Sequence, residues 1–403
     1  MAPIQMSASE SQLSDVDALP RIAASIYAGV VGSIVFIVLP VLVGLVAEHA
    51  GFADRELGVL ASAQMFGMFL ASLAATLMIP RWGSRRLVIL SAVSLALCHF
   101  GSVWPSPLAL LVLQGAGGFF GGLLMAVSLA HLGRTAKPDR NFAFWISAQI
   151  ALGVLGTIGL RQAAAAGGLG AAFLALGALA LSVLCAVPYL AADAASAERA
   201  RAQCKPSAAG IVSLLAAFFF AVGIMAVWPY LELIARDRGI AADSIPRIVS
   251  LALGASLAGA LIASALAGRY ERTRPLAASL VGMLLILPVL GAVVSELSFM
   301  AAAIGFAALW NFSVPYQLAT TSANDVGGTL IVFYISAVKA GYALAPLLVS
   351  RTLDGSGYGP VFWIATAGIA TSLVLYVLTR FLGPQAVQGP AKTLLPDIHE
   401  TAS

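Results

Sequence analysis

The pentapeptide FWISA at Phe144–Ala148 recurs as FYISA at Phe333–Ala337, one aromatic exchanged for another, at an offset of 189 residues (333 − 144). Two other windows keep nearly that spacing. VLPVL at Val38–Leu42 faces VWPYL at Val227–Leu231, which sets Pro40 over Pro229. PRWGSRR, beginning at Pro80, faces GRYERTR, beginning at Gly268, so that Arg81 matches Arg269, Trp82 matches Tyr270 and Arg86 matches Arg274. Chance matches are common in a chain rich in Ala and Leu, so the weight falls on the Pro, Arg and aromatic coincidences and on the steady offset. Self-similarity at a fixed offset is the mark of a duplicated unit.

Composition says what kind of unit was duplicated. The 403 residues are 60% hydrophobic and 10% charged, against about 25% charged in an ordinary soluble domain. Water does not solvate such a surface. A bilayer core of ~30 Å needs about 20 apolar residues per helix, and runs of that length occur at 22–47, 57–79, 87–104, 108–132, 143–160 and 169–190, then at 209–234, 248–267, 276–294, 299–318, 328–349 and 361–382. The chain therefore reads as an all-α integral membrane protein with twelve transmembrane helices in two pseudo-symmetric halves. The halves are 21–191 and 207–383, with a polar tail at 1–20, a linker at 192–206 and a second tail at 384–403. No stretch is left for a soluble catalytic domain, and no phosphate-binding loop is present for ATP-driven pumping. An enzyme is not expected.

Basic residues close to helix ends stay on the cytoplasmic side. Alternate connections place Arg21, Arg81, Arg85, Arg86, Arg134, Lys137, Arg140, Arg199, Arg201, Lys205, Arg269, Arg272, Arg274, Arg380 and Lys392 on one side, and only Arg55, Arg161, Arg236, Arg238, Arg247 and Arg351 on the other. Both termini are accordingly expected in the cytoplasm, with the protein multi-pass in a bacterial-type inner membrane. The net charge of +4 follows from this bias and needs no nucleic-acid partner. Cys98, Cys185 and Cys204 have no spacing that would bind a metal or form a disulfide framework. No cofactor is expected, and the partners expected are membrane lipid and a small solute, with the protein acting as a monomer.

Twelve spans, a central linker and an Arg-rich loop after the second span of each half resemble the major facilitator superfamily of secondary transporters. That family's loop typically reads Gly-x-x-x-Asp-Arg/Lys-x-Gly-x-Arg-Arg/Lys. Here TLMIPRWGSRR at Thr76–Arg86 keeps Arg81, Gly83, Arg85 and Arg86, with Thr76 in place of the Gly and Pro80 in place of the Asp. In the fourth span Gln114 and Gly115 lack the Arg that often precedes them, and in the fifth Gly153, Gly156 and Gly159 lack the proline of the drug-exporter motif. The resemblance implies two rigid halves rocking about a midplane site. It also implies that the first, second, fourth and fifth spans of each half line the cavity, and that Arg81, Arg85, Arg86 and Arg269 act in gating. The glycines of the fourth and fifth spans are read as close-packing positions.

An ionisable side chain at mid-membrane costs roughly 2.5–3.5 kcal/mol on insertion scales and persists where it faces a cavity or a partner. Lys339 meets that description. It lies about twelve residues into the eleventh span, or ~18 Å at 1.5 Å per residue, and shares a helical face with Ser336 and Tyr342. An anion would be its natural counterion. Further candidates for the substrate wall are Trp145 and Gln149 in the fifth span, Trp310, Asn311, Tyr316 and Gln317 in the tenth, and Tyr334, the repeat mate of Trp145. Tyr27 and Gln64 are weaker candidates, and His99 and His131 are read as structural. Glu232 stands one turn beyond Trp228 near the outer end of the seventh span, either as a coupling or gating acid or as a hydrated rim residue, and Arg161 is read as interfacial.

The leading expectation is a secondary transporter of a small organic anion such as a carboxylate. The coupling ion, a proton or another, is open, because no Asp or Glu lies deep in a first-half span. Efflux of a neutral or cationic drug or metabolite is the alternative, against which a mid-membrane lysine argues. A non-transporting sensor or assembly factor is the alternative of another class, and it would call for longer soluble segments.

Overall fold

The computed structural model describes residues 18–104, 106–135, 137–190, 207–266, 268–292, 295–324, 330–353 and 357–382. The linker at 192–206, the tail at 384–403, most of the tail at 1–20 and Cys204 lie outside the described residues. Among those described, eleven helices are long and apolar enough to cross a membrane. One of them, Pro138–Ser182 continued by a 3-10 turn at Val183–Tyr189, holds two passes, because Gly167 and Gly168 leave helical geometry, Gly168 at φ 68°. The described residues therefore hold twelve passes, as the apolar runs imply.

Pass 1 is broken where a single span was expected. It runs as Leu19–Ile37 and resumes as Leu39–Ala50, with Pro40 in the first turn of the second piece. Pass 7 breaks at the matching place, with Ala208–Val227, a 3-10 turn at Trp228–Tyr230 that contains Pro229, and Leu231–Asp237. Proline lacks the N–H that would close the helical bond to the carbonyl four residues back. At Pro40 that carbonyl belongs to Phe36, and the Trp228 indole N–H of the other half donates to it at 3.4 Å. A break in one half is thus satisfied from the other.

The remaining passes are Asp54–Trp82, Ser84–Gly101 and Pro107–Leu132 in the first half, and Ile245–Leu266, Thr273–Gly291, Glu296–Ala323, Leu330–Thr352 and Gly359–Leu378 in the second. Pass 2 packs on pass 4, and pass 8 on pass 10. The backbones come close enough there that a Cβ added at Gly67, Gly118 or Gly259 would collide with a carbonyl of the facing helix. Between the halves, pass 2 packs on pass 11 and pass 5 on pass 8. A six-pass repeat turns the first of these contacts into the second.

The repeated pentapeptides behave alike. Phe144 and Phe333 are 54% and 56% exposed, whereas Trp145 and Tyr334 are buried. Tyr334 donates a hydrogen bond to Gln317, 17 positions earlier. Trp145 and Ser128, separated by the same interval, both crowd against Gly29. The register read from the sequence is the register in which the side chains pack.

Candidate functional site

Two groups of charge lie within the passes, and an aromatic layer separates them along the helices. At the face away from the two ends of the described chain, Glu48 of pass 1, Arg161 of pass 5 and Glu232 and Arg236 of pass 7 converge. Arg236 Nη2 donates to Glu48 Oε2 at 2.6 Å and to Glu232 Oε1 at 3.1 Å, and Arg161 Nη1 donates to Glu48 Oε2 at 3.0 Å. Arg161 Nη2 is also ion-paired with Glu232 Oε1. The Glu232 side chain is 0% exposed while that of Glu48 is 42% exposed.

The sequence left Glu232 open between a coupling or gating acid and a hydrated rim residue, and read Arg161 as interfacial. In the structure Glu232 is enclosed rather than at a hydrated rim, and Arg161 is its cross-half partner. Gly44 makes the enclosure, because a Cβ there would occupy the position of the Glu232 carboxylate. Two of the four pairings, Arg161 with Glu232 and Arg236 with Glu48, join the halves. The other two, Arg161 with Glu48 and Arg236 with Glu232, lie within a half. Glu48 and Arg236 are 188 residues apart, close to the repeat offset, so they are near-equivalent positions of the two halves that meet each other. On the same side Tyr230 donates to the Pro346 carbonyl at 3.2 Å and abuts Gly58. This face is sealed.

Beneath the clasp lies a layer of rings. Phe36 stacks on Tyr342 at 5.4 Å between centroids with 22° between planes, and Trp310 meets Phe36, Trp228 and Tyr342 edge-on at 6.4, 5.7 and 6.5 Å. Phe36 comes from the first half and the other three from the second, so the layer too spans the interface.

Lys339 lies one turn from Tyr342, on the side of the layer away from the clasp. It is 8% exposed, and its Nζ has the Met125 thioether at 3.9 Å. No described carboxylate pairs with it. Ser336, on the same helical face, is 3.5 Å from Ser72 of pass 2. Lys339 is therefore a cation at the interface of the halves, held by a soft and weak acceptor. A buried ammonium in that setting is poised to take an anion.

The other expected wall residues divide. Gln149 donates to Ser33 at 2.8 Å across passes 5 and 1, and half-buried Asn311 donates to its own helix at Ala307, 3.4 Å. Tyr334, Gln317 and Tyr316 are turned into the second half rather than towards the first. Gln317 Oε1 accepts from Tyr334 at 3.3 Å and from Tyr376 of pass 12 at 3.2 Å, its Nε2 donates to Ser313 at 3.1 Å, and Tyr316 donates to the Ala263 carbonyl at 3.2 Å. These three are packing residues with satisfied polar atoms. Trp145 is buried against Gly29. Arg81, Arg85, Arg86 and Arg269 are exposed, and none pairs with a described carboxylate; Arg81 Nη1 donates to the Leu77 carbonyl at 3.2 Å. Among the described residues no cluster of His, Cys, Asp and Glu could hold a metal ion. Phe36, Met125, Glu48 and Arg236 were not singled out from the sequence, although the 188-residue spacing of Glu48 and Arg236 was a signal within reach.

The sequence profile of the Major Facilitator Superfamily matches residues 24–211. The match covers the first half and the linker, and makes that part of the chain similar to the superfamily. Solved transporter structures extend the likeness in fold over both halves. The xylose transporter XylE from E. coli, in a partially occluded inward-open conformation, superposes with TM-score 0.73 at 13% identity, over 91% of this chain and 99% of its own. The nucleoside transporter NupG superposes with TM-score 0.74 at 9% identity, over 91% and 100%. A D-xylose–proton symporter does so with TM-score 0.70 at 13% identity, over 92% and 98%. At such identities the likeness is one of fold. No curated protein sequence matches the chain. The chain thus shares the multi-pass fold of these transporters.

Proposed function

We propose that the chain carries a small organic anion across the membrane, with Lys339 as its charge anchor. The observation that carries this reading is the buried ammonium at the junction of the halves, paired with no described carboxylate and facing a thioether. The clasp of Glu48, Arg161, Glu232 and Arg236 acts as the gate of the sealed face, and its opening alternates with closure around Lys339. The surplus of Arg and Lys on the loops at the terminal side supports cytoplasmic termini and an inner-membrane location. A cysteine at Asp243 should then react with an impermeant thiol reagent added outside intact cells, whereas cysteines at Arg85 and Arg272 should be shielded; the reverse pattern contradicts the orientation.

The test of substrate class is thermal unfolding of the purified protein with organic acids, sugars, nucleosides and amines, since a ligand that binds only the folded state raises its apparent stability by mass action. Stabilisation by carboxylates and not by the neutral or cationic compounds is expected. Stabilisation by neutral or cationic compounds alone contradicts the anion reading.

A further inference from the structure

We infer that the solute held at Lys339 is a monoanion with a flat apolar body, an aromatic monocarboxylate, rather than a dianion or a polyol; this deepens the proposed anchor role of Lys339 and rests on it. The first support is the count of available charge. Arg161 and Arg236, the arginines that enter the passes beside the interface, are committed to Glu48 and Glu232 in a set of two positive and two negative charges that sums to zero. Lys339 contributes one uncompensated positive charge, and a second carboxylate on the solute would be desolvated without a partner, which is costly.

The second support is the scarcity of free hydrogen-bonding groups. A sugar or nucleoside presents several hydroxyls that each need a partner once enclosed. Of the amides that would serve them, Gln317 is taken by Tyr334, Tyr376 and Ser313, and the NH2 groups of Asn311 and Gln149 are taken by the Ala307 carbonyl and by Ser33. Near Lys339 the hydroxyls are few, Ser336 and Ser72 lying 3.5 Å from each other, and the rest is apolar and polarisable, namely the Met125 thioether and, one turn away, the ring layer.

The third support is shape. Phe36 and Tyr342 already lie face to face at 22°, with Tyr342 only three residues from Lys339, a rise of ~4.5 Å along the helix. A carboxylate on the ammonium and a ring directly attached to it would put that ring against the same layer, in the offset or edge-on contacts aromatic groups prefer. Acetate would use the charge and miss the rings. Succinate would use the charge once and leave its second carboxylate buried.

The experiment uses the full chain in lipid nanodiscs with benzoate, phenylacetate, acetate, succinate, xylose and uridine as probes, read by thermal unfolding and by the fluorescence of Trp228 and Trp310. Benzoate and phenylacetate should bind at least tenfold more tightly than acetate or succinate and should change the tryptophan emission, and xylose and uridine should do neither. Tyr342→Leu should bring benzoate down to the level of acetate, while Lys339→Gln should remove binding of all four acids. If the four acids bind with equal affinity, the aromatic inference is overturned and the anion reading stands. If xylose or uridine binds and no acid does, or if no probe binds, both are overturned. If Tyr342→Leu fails to fold, Phe36→Leu makes the same comparison from the other half.

Discussion

At the sealed face four charges meet and cancel, whereas one layer of rings deeper a single ammonium has only a thioether for company. Both sites sit at the junction of the two halves and both bury charge, yet they are built on opposite principles. In the clasp every charge has a partner in its own half and another across the interface. The halves can therefore separate without stranding an ion: Arg161 keeps Glu48, and Arg236 keeps Glu232. Lys339 has no such reserve among the described residues, and under the proposed function its partner arrives with the solute. A balanced buried set is suited to a moving joint, and an unbalanced buried charge to a ligand.

The largest effect should come from breaking that balance without breaking the closed state. In the double variant Glu48→Arg with Arg236→Glu, both cross-half pairings survive, the one between positions 48 and 236 with its signs reversed, but each half now holds two like charges. Closure is retained and opening is opposed by repulsion within each half. Transport into proteoliposomes should be lost while the thermal midpoint stays near that of the parent; unimpaired transport would show that the pairs do not exchange on opening. Glu232→Ala should come next. It removes the enclosed acid and leaves two arginines sharing Glu48, at a cost of about 3–5 kcal/mol in stability, measurable by denaturant unfolding in detergent and by faster thiol labelling of a cysteine at Ile234. The smallest effect is expected of Glu48→Ala, about 0–1 kcal/mol, because the Glu48 carboxylate is 42% exposed and screened by water. Equal losses for the two acids would erase the distinction between the enclosed and the exposed member of the clasp.

Much of the fold was legible because a bilayer imposes length and apolarity on every pass, and because a duplicated chain repeats its prolines and aromatics at one spacing. FWISA and FYISA gave the register, whereas Pro40 and Pro229 were matched by position but each read inside one unbroken span, although a missing N–H disrupts a helix that carries it. The break at Gly167 and Gly168 that divides passes 5 and 6 left only a gap between apolar runs.

The site was legible in part. Helical periodicity put Ser336, Lys339 and Tyr342 on one face, and the structure finds that face towards the first half. For Tyr334, Gln317 and Tyr316 the same reasoning could not say which neighbour the face would meet, and it is Tyr376, Ser313 and Ala263 within the second half. For Glu232 the choice between gating acid and hydrated rim stayed open because counting residues along a helix measures depth along the bilayer normal. Burial is decided by what packs against the helix, and the absence of a Cβ at Gly44 is what lets pass 1 close over the carboxylate.

The central claim is that an anion completes the charge of Lys339. Its most direct measurement is the benzoate-dependent rise in thermal midpoint of the purified protein, compared between the parent chain and Lys339→Ala. Loss of the cationic partner of a buried charge-assisted contact is worth about 2–5 kcal/mol, which is roughly 30-fold or more in affinity. The account predicts a ligand-dependent rise in the parent, its disappearance in Lys339→Ala, and partial retention in Lys339→Arg, which keeps the charge on a planar group of different geometry. A folded Lys339→Ala protein that is stabilised by benzoate as strongly as the parent would contradict it.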